Sequence, residues 1–311
     1  MRELLFMEPV FKESIWGGDR LGKEYEYDIP SNHTGECWAI SAHPNGDCTI
    51  KNGTYAGHKL SEVYKEHREL FGNVPGDKFP LLVKIIDAKE DLSIQVHPDD
   101  LYAKTHEHGS LGKTECWYIL DCDNEDGSIV VGHHAKDKEE LAQMINEHRW
   151  KELINVRKIK KDDFFQITPG TVHAIKAGTL ILETQQSSDI TYRLYDYDRL
   201  QNGKKRDLHI KQSIDVITCP YIDEIAATKE IEDSTYKVKE LVNCQFYSVH
   251  KVDIFGKALF HLEQPFQLVS VIEGNGSIDS YSIKKGDHFI IPSTYDTYTM
   301  NGNMQLIVSS L

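Results

Sequence analysis

Imidazole and carboxylate side chains occur in segments of the chain that have strand-type patterns. In LSIQVHPDD, apolar residues alternate with polar ones: Leu92, Ile94 and Val96. Since successive strand side chains point to opposite faces, Gln95 and His97 are predicted to project together from the other face.

The same alternation places a cation and a carboxylate together in GKTECWYIL, where Lys113, Glu115 and Trp117 share one face. In ITPGTVHA, a Pro-Gly turn ends one strand and delivers His173 at the start of the next. Two imidazoles and one carboxylate, from His97, Glu115 and His173, form the ligand set of a catalytic zinc site. Such a site keeps one coordination position open for water or substrate.

Other histidines offer an alternative to this set, because the chain contains 15 of them. His106 and His108 form a second His-x-His pair, but HEHGSLGK has the composition of a loop, which disfavours them as ligands. His133 and His134 are adjacent, so they are predicted to face opposite sides of a strand and to be structural or exposed.

A polar run, LETQQSSDITYRLYDYDR, lies between strand-like pieces and includes Glu183. Arg193 in this run could bind a phosphate or stabilise an oxyanion, because guanidinium is a forked donor that stays charged. The alternative is a surface ion pair of Arg193 with Asp189 or Asp196. The basic cluster GKKRDLH at 203–209 could also approach a phosphate, although such runs are often solvated turns.

Short β-rich runs dominate the chain, and each is bounded by Gly, Pro, Asp or Asn, a spacing typical of β-barrels or sandwiches. The runs are FPLLVKIID, LSIQVH, ECWYILD, SIVVGH, DDFFQIT, TLILETQQ, TYRLYDYD, FQLVSVIEG, HFIIP and MQLIVSS. Helices are predicted over 60–71 with Gly72 as a stop, over 138–148 from a capping start at Asp137, and over 207–217. The chain is therefore predicted to be mainly β with a few helices.

An internal repeat links two parts of the chain. KKDDFFQITPGTVHAI, from Lys160, is matched loosely by KKGDHFIIPSTYDTYTM, from Lys284, and both read as strand, turn, strand. The second copy has Thr297 and Tyr298 where the first has His173. We therefore expect a second barrel without metal.

A change of composition predicts where the two domains meet. Residues 220–235 combine a proline with a polar, acidic run. This indicates a catalytic zinc-binding domain with helical decoration over 1–225 and a smaller, metal-free C-terminal barrel over 226–311.

Charge and composition bear on partners and location. The net charge of -14 repels nucleic acid, whereas a phosphorylated metabolite needs only a local cluster of cations. We expect no signal peptide and no membrane span, because no apolar run is long enough, and hence a soluble, cytoplasmic protein. The six cysteines form no CxxC pair and are expected to be reduced.

Several of these segments together resemble the type I mannose-6-phosphate isomerases, zinc-dependent members of the cupin superfamily, and in particular their short bacterial form. The resemblance covers nearly the whole chain and rests on FKESIWGG, TGECWAIS, FPLLVKIIDAKEDLSIQVHPDD, GKTECWYI, PGTVHAI and LETQQSSDITYRLYDYDR. It implies two cupin-type jelly-roll β-barrels and one zinc ion per chain. The implied reaction interconverts mannose 6-phosphate and fructose 6-phosphate through an enediol. The implied partner is a small-molecule sugar phosphate, and no obligate protein partner is evident.

The resemblance also implies roles for individual residues. These are zinc ligation by His97, Glu115 and His173, joined in some members by Gln95, substrate binding by Lys113 and Glu183, and catalysis by Arg193. The chain departs from the family's usual Gly-Asp and Pro-x-Gly at Asp162-Asp163 and Pro169-Gly170. We therefore expect the turn that aims His173 to differ slightly.

Zinc, Arg193 and Lys113 would stabilise the negative charge that develops on an enediol. The group that moves the proton stays open between a water on the zinc, Glu183 and a nearby histidine. An iron-dependent oxygenase of the cupin type would use similar ligands, but Arg193 and Lys113 favour an anionic substrate. A non-enzymatic sugar-binding cupin would not need the intact ligand set.

Overall fold

The computed structural model describes residues 2–123, 127–223 and 229–311, which are mainly β, as predicted. The α-helices of this part of the chain are α1 (Arg20–Tyr25), α2 (Leu60–Glu66), α3 (Asp100–His106), α4 (Lys138–Asn146), α5 (Trp150–Leu153) and α6 (Ile210–Val216). Two 3₁₀-helices span Gly53–Tyr55 and Arg68–Phe71. None of the described helices is long and apolar enough to cross a membrane.

The strands fall into an earlier and a later group. The earlier strands are β1 (Leu5–Glu8), β2 (Val10–Gly18), β3 (Thr34–Ile40), β4 (Thr49–Ile50), β5 (Leu81–Ala88), β6 (Ile94–Val96), β7 (Glu115–Asp121), β8 (Ser128–His133), β9 (Ile154–Lys158), β10 (Phe164–Ile167), β11 (His173–Ile175), β12 (Thr179–Gln186), β13 (Tyr192–Tyr195), β14 (Leu200–Gln201) and β15 (Lys204–Lys205). The later strands are β16 (Glu230–Glu232), β17 (Tyr236–Asn243), β18 (Ser248–Ile254), β19 (Lys257–His261), β20 (Gln267–Ile278), β21 (Tyr281–Lys284), β22 (His288–Ile291) and β23 (Thr297–Ser310). Each of the ten predicted runs contains a strand.

The three predicted helices are confirmed. Helix α4 begins where the side chain of Asp137 accepts a hydrogen bond from the backbone N–H of Glu140 at 2.8 Å, which satisfies a free N–H group of the first turn. Helix α2 and the 3₁₀-helix after it cover the predicted 60–71 stretch. Gly72 follows in the left-handed conformation, with φ +64°, as expected of a helix stop.

Two sheets of the earlier strands face each other. The six-stranded sheet has the order β10-β7-β12-β5-β2-β3, and the five-stranded sheet has the order β13-β6-β11-β8-β9. Apolar side chains of both sheets, including Trp117, Ile181 and Val131, form a common core between them. The outer face of the five-stranded sheet packs against helices through residues such as Leu141 and Ile217. The space between the sheets is therefore the place where polar side chains could form a site.

The later strands build a third, ten-stranded sheet together with two strands from the beginning of the chain. Its main order is β16-β17-β18-β23-β20-β22-β1-β4, with β19 beside β23 and β21 beside β20. Strand β1 pairs with β22 through Leu5 and Ile290, so the first strand belongs to the C-terminal sheet. A large core joins this sheet to the outer face of the six-stranded sheet. The sheets do not close into complete barrels, although the mainly β, cupin-type class is confirmed. The predicted boundary between 225 and 226 lies outside the described residues and stays a prediction.

The internal repeat is visible as two equivalent turns. The carboxylate of Asp163 accepts a hydrogen bond from the backbone N–H of Lys160 at 2.9 Å, and Asp287 does the same for Lys284 at 2.8 Å. The residue before each aspartate has a positive φ, +73° at Asp162 and +90° at Gly286. Asp162 thus adopts the conformation that favours glycine, and the turn is kept despite the departure from Gly-Asp.

Candidate metal centre and active site

The facing sheets bring the three predicted metal ligands together. His97 directly follows β6, and His173 begins β11 of the same sheet, whereas Glu115 begins β7 of the opposite sheet. All three side chains are buried, and one potential ligand atom of each lies within 4.8 Å of the others. The strand alternation therefore identified a real cluster of metal-type side chains.

Within the cluster, the atoms that could ligate a metal converge. The Nε2 atoms of His97 and His173 are 3.1 Å apart. Glu115 Oε2 is 3.4 Å from His97 Nε2, and Glu115 Oε1 is 3.4 Å from His173 Nε2. Lys113 Nζ lies 2.6 Å from Glu115 Oε2 and 3.1 Å from His97 Nε2. Apart from these contacts with Lys113 and the two imidazoles, neither oxygen of Glu115 has a hydrogen-bond partner among the described residues. Lys113 thus offsets part of the cost of burying this carboxylate, and a metal ion would offset more.

The turn before His173 fixes the orientation of its ring. His173 Nδ1–H donates to the carbonyl of Thr171 at 2.8 Å, so Nε2 presents its lone pair to the cluster. Gly170 has φ +84°, and its backbone N–H donates to the carbonyl of His97 at 2.9 Å. A Cβ atom at this glycine would lie only 2.4 Å from Thr218 Oγ1, so the close approach requires glycine.

The protonation states in the cluster suit metal binding. Burial lowers the pKa of His97 to about 3, with Lys113 acting in the same direction, and burial also lowers the pKa of His173. Burial alone would raise the pKa of Glu115, but Lys113 and His97 outweigh it and hold this pKa well below its ordinary value. Neutral imidazoles and an ionised carboxylate are the forms that ligate metals.

Gln95 and Arg193 extend the cluster along the five-stranded sheet. In the strand register Gln95 is opposite His173 on one side and opposite Arg193 on the other, so the three residues form a row across β11, β6 and β13. Directly opposed residues project from the same face of a sheet. Gln95 Nε2 is 3.2 Å from His173 Nε2, which is close enough for Gln95 to join a ligand set.

Arg193 has no ion pair with either aspartate considered from the sequence. Its Nη1 donates to the backbone carbonyl of Asp207 at 2.9 Å, and its Nε is buried without a partner among the described residues. Asp196 pairs with other arginines, and Asp189 accepts from Asn45. The surface ion-pair interpretation of Arg193 is therefore wrong.

A second row of polar side chains lies across the six-stranded sheet. Glu183 is opposite Trp117 on one side and Lys84 on the other. Its carboxylate accepts a hydrogen bond from Trp117 Nε1 at 3.0 Å and lies 3.5 Å from Lys84 Nζ. Burial and the charge of Glu115 raise the pKa of Glu183.

Several of these side chains line one cavity of about 320 Å³ between the sheets, whereas His97, Glu115 and His173 are not part of its lining. The polar lining includes Glu36, Lys84, Gln95, Lys113, Glu183, Asp189, Arg193, Arg206 and His209. Of the basic cluster at 203–209, Arg206 and His209 reach the cavity, whereas Lys204 and Lys205 are exposed in the β14–β15 hairpin. The cluster is thus partly a solvated turn and partly a cavity wall.

The alternative histidines lie apart from this cluster. His106 is exposed and stacks on Tyr102 with ring centroids 4.0 Å apart. His133 is buried and hydrogen-bonds the carbonyl of Thr218 at 2.9 Å, whereas His134 is exposed, as the adjacent pair predicted.

Lys84 is a cavity residue that the sequence interpretation missed, as is its partner Glu36. Lys84 is 4% exposed, and Glu36 and Glu183 overcome the cost of burial and raise its pKa above the ordinary value. The sequence did contain a signal for it, because Lys84 is the single charge in the apolar strand LLVKII. A buried strand accommodates a charged side chain only when that charge has a partner.

Known protein families and individual proteins are similar to this chain along nearly its whole length. The family phosphomannose isomerase type I, catalytic domain, matches residues 4–134, and the family mannose-6-phosphate isomerase, cupin domain, matches residues 237–311. Mannose-6-phosphate isomerase ManA of Bacillus subtilis (strain 168) is 50% identical over 314 residues, covering 99% of each protein. A mannose-6-phosphate isomerase of Streptococcus mutans is 49% identical over 314 residues, covering 99% of this chain and 98% of that protein.

Solved structures agree with the fold as well. The crystal structure of the mannose 6-phosphate isomerase from Bacillus subtilis has a TM-score of 0.97 and 48% identity, covering 99% of both chains. A phosphomannose isomerase variant from Salmonella typhimurium, at 14% identity, shares the fold with a TM-score of 0.78. Because half of the residues are identical to those of a relative over almost the full length, this chain belongs to the type I phosphomannose isomerase family.

Proposed function

We propose that the protein is a zinc-dependent mannose-6-phosphate isomerase that works through an enediol. The main supporting observation is that His97, Glu115 and His173 are buried close together, next to a cavity whose lining includes the cations Lys84, Lys113, Arg193 and Arg206. Membership of the family supports the same reaction. Since this reaction belongs to sugar metabolism, we also propose a cytoplasmic location.

The donor set fits zinc. His97, Glu115 and His173 supply two nitrogens and one carboxylate, a set found in catalytic zinc sites, and Gln95 is close enough to add an amide oxygen after rotation of its side chain. Zinc would add a second cation, besides Lys113, at the buried carboxylate of Glu115. When bound, zinc would act as a Lewis acid toward the oxygens at C1 and C2 of the open-chain sugar.

The protein's own residues would hold the sugar and balance its charge. Lys113 keeps a fixed ammonium group against Glu115, and Arg193 presents a buried, partnerless N–H group in the same row as Gln95. Fixed donors of this kind stabilise the negative charge that develops in an enediol without reorganising during the step. We propose catalysis by Arg193 and substrate binding by Lys113 and Glu183.

The proton must move between C2 and C1 of the sugar within this cavity. Among the groups predicted to transfer this proton, Glu183 has its carboxylate in the cavity lining. Burial together with the charge of Glu115 raises the pKa of Glu183 toward the range useful for proton transfer. Trp117 and Lys84 hold this carboxylate in place. We therefore favour Glu183 as the group that carries the proton.

The identity of the metal can be tested separately from the reaction. The protein would be stripped of metal, and zinc or ferrous iron would be added back under anaerobic conditions before isomerisation of mannose 6-phosphate is measured. The proposal expects zinc to restore turnover in proportion to the zinc bound. Restoration by iron alone would show that the same ligand set serves a different metal.

A further inference from the structure

Asp196 joins two arginine side chains just beyond strand β13. Arg206 donates to it twice, from Nε to Oδ2 at 2.8 Å and from Nη2 to Oδ1 at 2.5 Å. Arg199 donates from Nη2 to Oδ1 at 2.6 Å. Asp196 is only 5% exposed, so these contacts are largely shielded from water. A two-point pair of this kind fixes the plane of a guanidinium group as well as its position.

Arg206 carries this fixed geometry into the cavity of the candidate active site, which it helps to line. The pair with Asp196 uses Nε and Nη2, and Nη1 has no hydrogen bond to any residue of the described chain. Arg193 lines the same cavity with a partnerless Nε. Two guanidinium groups therefore offer free N–H donors to one ligand.

Charged groups of both signs lie around this end of the cavity. Asp196 faces the guanidinium groups of Arg199 and Arg206, Arg193 adds a third guanidinium group, and Asp189 also lines the cavity. Burial and the charge of Arg206 lower the pKa of Arg193, although Asp196 and Asp207 offset part of this repulsion. An anion bound between Arg193 and Arg206 would relieve the repulsion.

We propose that Asp196 is a positioning residue that fixes Arg206 at the cavity wall and thereby sets the affinity of the site for the phosphate group of its substrate. This inference rests on the proposed function, because it takes the anion to be a sugar phosphate. Asp196 acts through Arg206 and does not itself line the cavity with the other residues.

The variant Asp196→Asn distinguishes a positioning role of Asp196 from a purely electrostatic one, because the two roles predict opposite changes in phosphate affinity. Removing a negative charge near an anion site would tighten phosphate binding if charge alone mattered. Loss of the two-point pair that fixes Arg206 should instead weaken binding of inorganic phosphate by about tenfold. This effect is comparable to the loss of an orienting partner at a metal site. Calorimetry with inorganic phosphate measures this effect without any turnover. In the isomerase assay, KM should rise by a similar factor, and kcat should change by less than about threefold.

The matched control is Asp198→Asn, two residues further along the chain. Asp198 pairs with Lys205 through two exposed side chains, so its loss removes the same charge without touching Arg206. Its phosphate affinity should stay within about twofold of the wild type, as expected for an exposed pair. Tighter binding by Asp196→Asn, or equal losses in both variants, would overturn the proposal.

Arg206→Met keeps the test decisive if Asp196→Asn does not fold, because it leaves Asp196 paired with Arg199. This variant should lose phosphate affinity at least as strongly, and unchanged affinity would overturn the proposal. In a folded double variant, adding Asp196→Asn to Arg206→Met should cause no further loss of phosphate affinity, because both substitutions act on the guanidinium group of Arg206. Wild-type protein that binds phosphate but does not isomerise mannose 6-phosphate would refute the proposed function and leave the role of Asp196 standing.

Discussion

The backbone N–H of Gly170 donates to the carbonyl of His97 at 2.9 Å, so the turn that aims one candidate ligand is attached to the backbone of another. The turn requires glycine here because its backbone adopts φ +84° and a Cβ atom would collide with Thr218 on the other side. The two histidines of the cluster are thus positioned by one backbone contact as well as by the sheet. This contact makes Gly170 part of the site although it carries no functional group.

We predict that Gly170→Ala destabilises the protein and weakens metal binding. The left-handed conformation should cost about 1–2 kcal/mol, and the new Cβ would also meet Thr218 Oγ1 at 2.4 Å and the carbonyl of Val216 at 2.8 Å. Gly57→Ala is the matched control, because Gly57 has φ +86° and open space around its Cβ position. Urea unfolding and metal analysis of both variants measure the difference. Equal losses of stability, with full metal content in both, would contradict this role of Gly170.

His97→Ala and Glu115→Ala should each abolish both metal content and turnover. Each removes one of three buried donors, and Glu115→Ala also leaves Lys113 buried without its carboxylate partner. His106→Ala is the control, because this histidine is exposed on α3 and should leave both quantities unchanged. Retention of stoichiometric zinc by His97→Ala, measured by emission spectrometry, would remove His97 from the ligand set.

Arg193→Ala should keep the metal and lose rate. Arg193 contacts none of the three clustered ligands in the described hydrogen bonds, but it offers the cavity a buried donor, so kcat should fall by about 10²–10³-fold. Arg149→Ala provides the control, because Arg149 pairs with Glu147 and Glu152 on the surface. Full activity of Arg193→Ala would show that its assigned role is wrong.

The sequence predicted the cluster of metal-type side chains because strand alternation is a local property. Glu115 and Trp117 lie on one face of β7, and Cys116 and Tyr118 lie in the core on the other, as the pattern requires. The same rule failed at Leu92, which precedes β6. Leu92 packs in the core between the two sheets, whereas Ile94 packs in the core on the outer face of the five-stranded sheet. Alternation holds only where the backbone is extended, and the sequence did not show where β6 begins.

Long-range pairings explain what the sequence could not predict. No β-rich run was identified before residue 79, yet β1 to β4 lie there, and β1 completes the C-terminal sheet through β22. The contacts of Lys84 with Glu36 and Glu183 also depend on which strands become neighbours. Strand neighbours in a sheet follow from tertiary packing, which periodicity within one segment does not encode.

His288 should contribute to acid sensitivity. It is buried between Ser270 and Tyr27, each 2.8 Å from a ring nitrogen, and burial, with a smaller contribution from Lys51, lowers its pKa to about 3. The unfolded chain binds a proton at this residue near pH 6.5, and the native protein does not until about pH 3. Native stability should therefore fall as pH decreases below about 6.5, by about 1.4 kcal/mol per pH unit from this group.

His288→Gln measures this contribution, because glutamine does not titrate. Urea unfolding between pH 7 and pH 4.5 should give a shallower loss of stability for the variant than for the wild type. Parallel curves for the two proteins would show that His288 does not take part in the acid response.

Turnover of mannose 6-phosphate to fructose 6-phosphate by the purified protein tests the central claim most directly. The assay would be run on the protein as isolated, after chelation, and after zinc is added back. The account predicts activity that disappears on chelation and returns with zinc. A folded, zinc-loaded protein that produces no fructose 6-phosphate would contradict it.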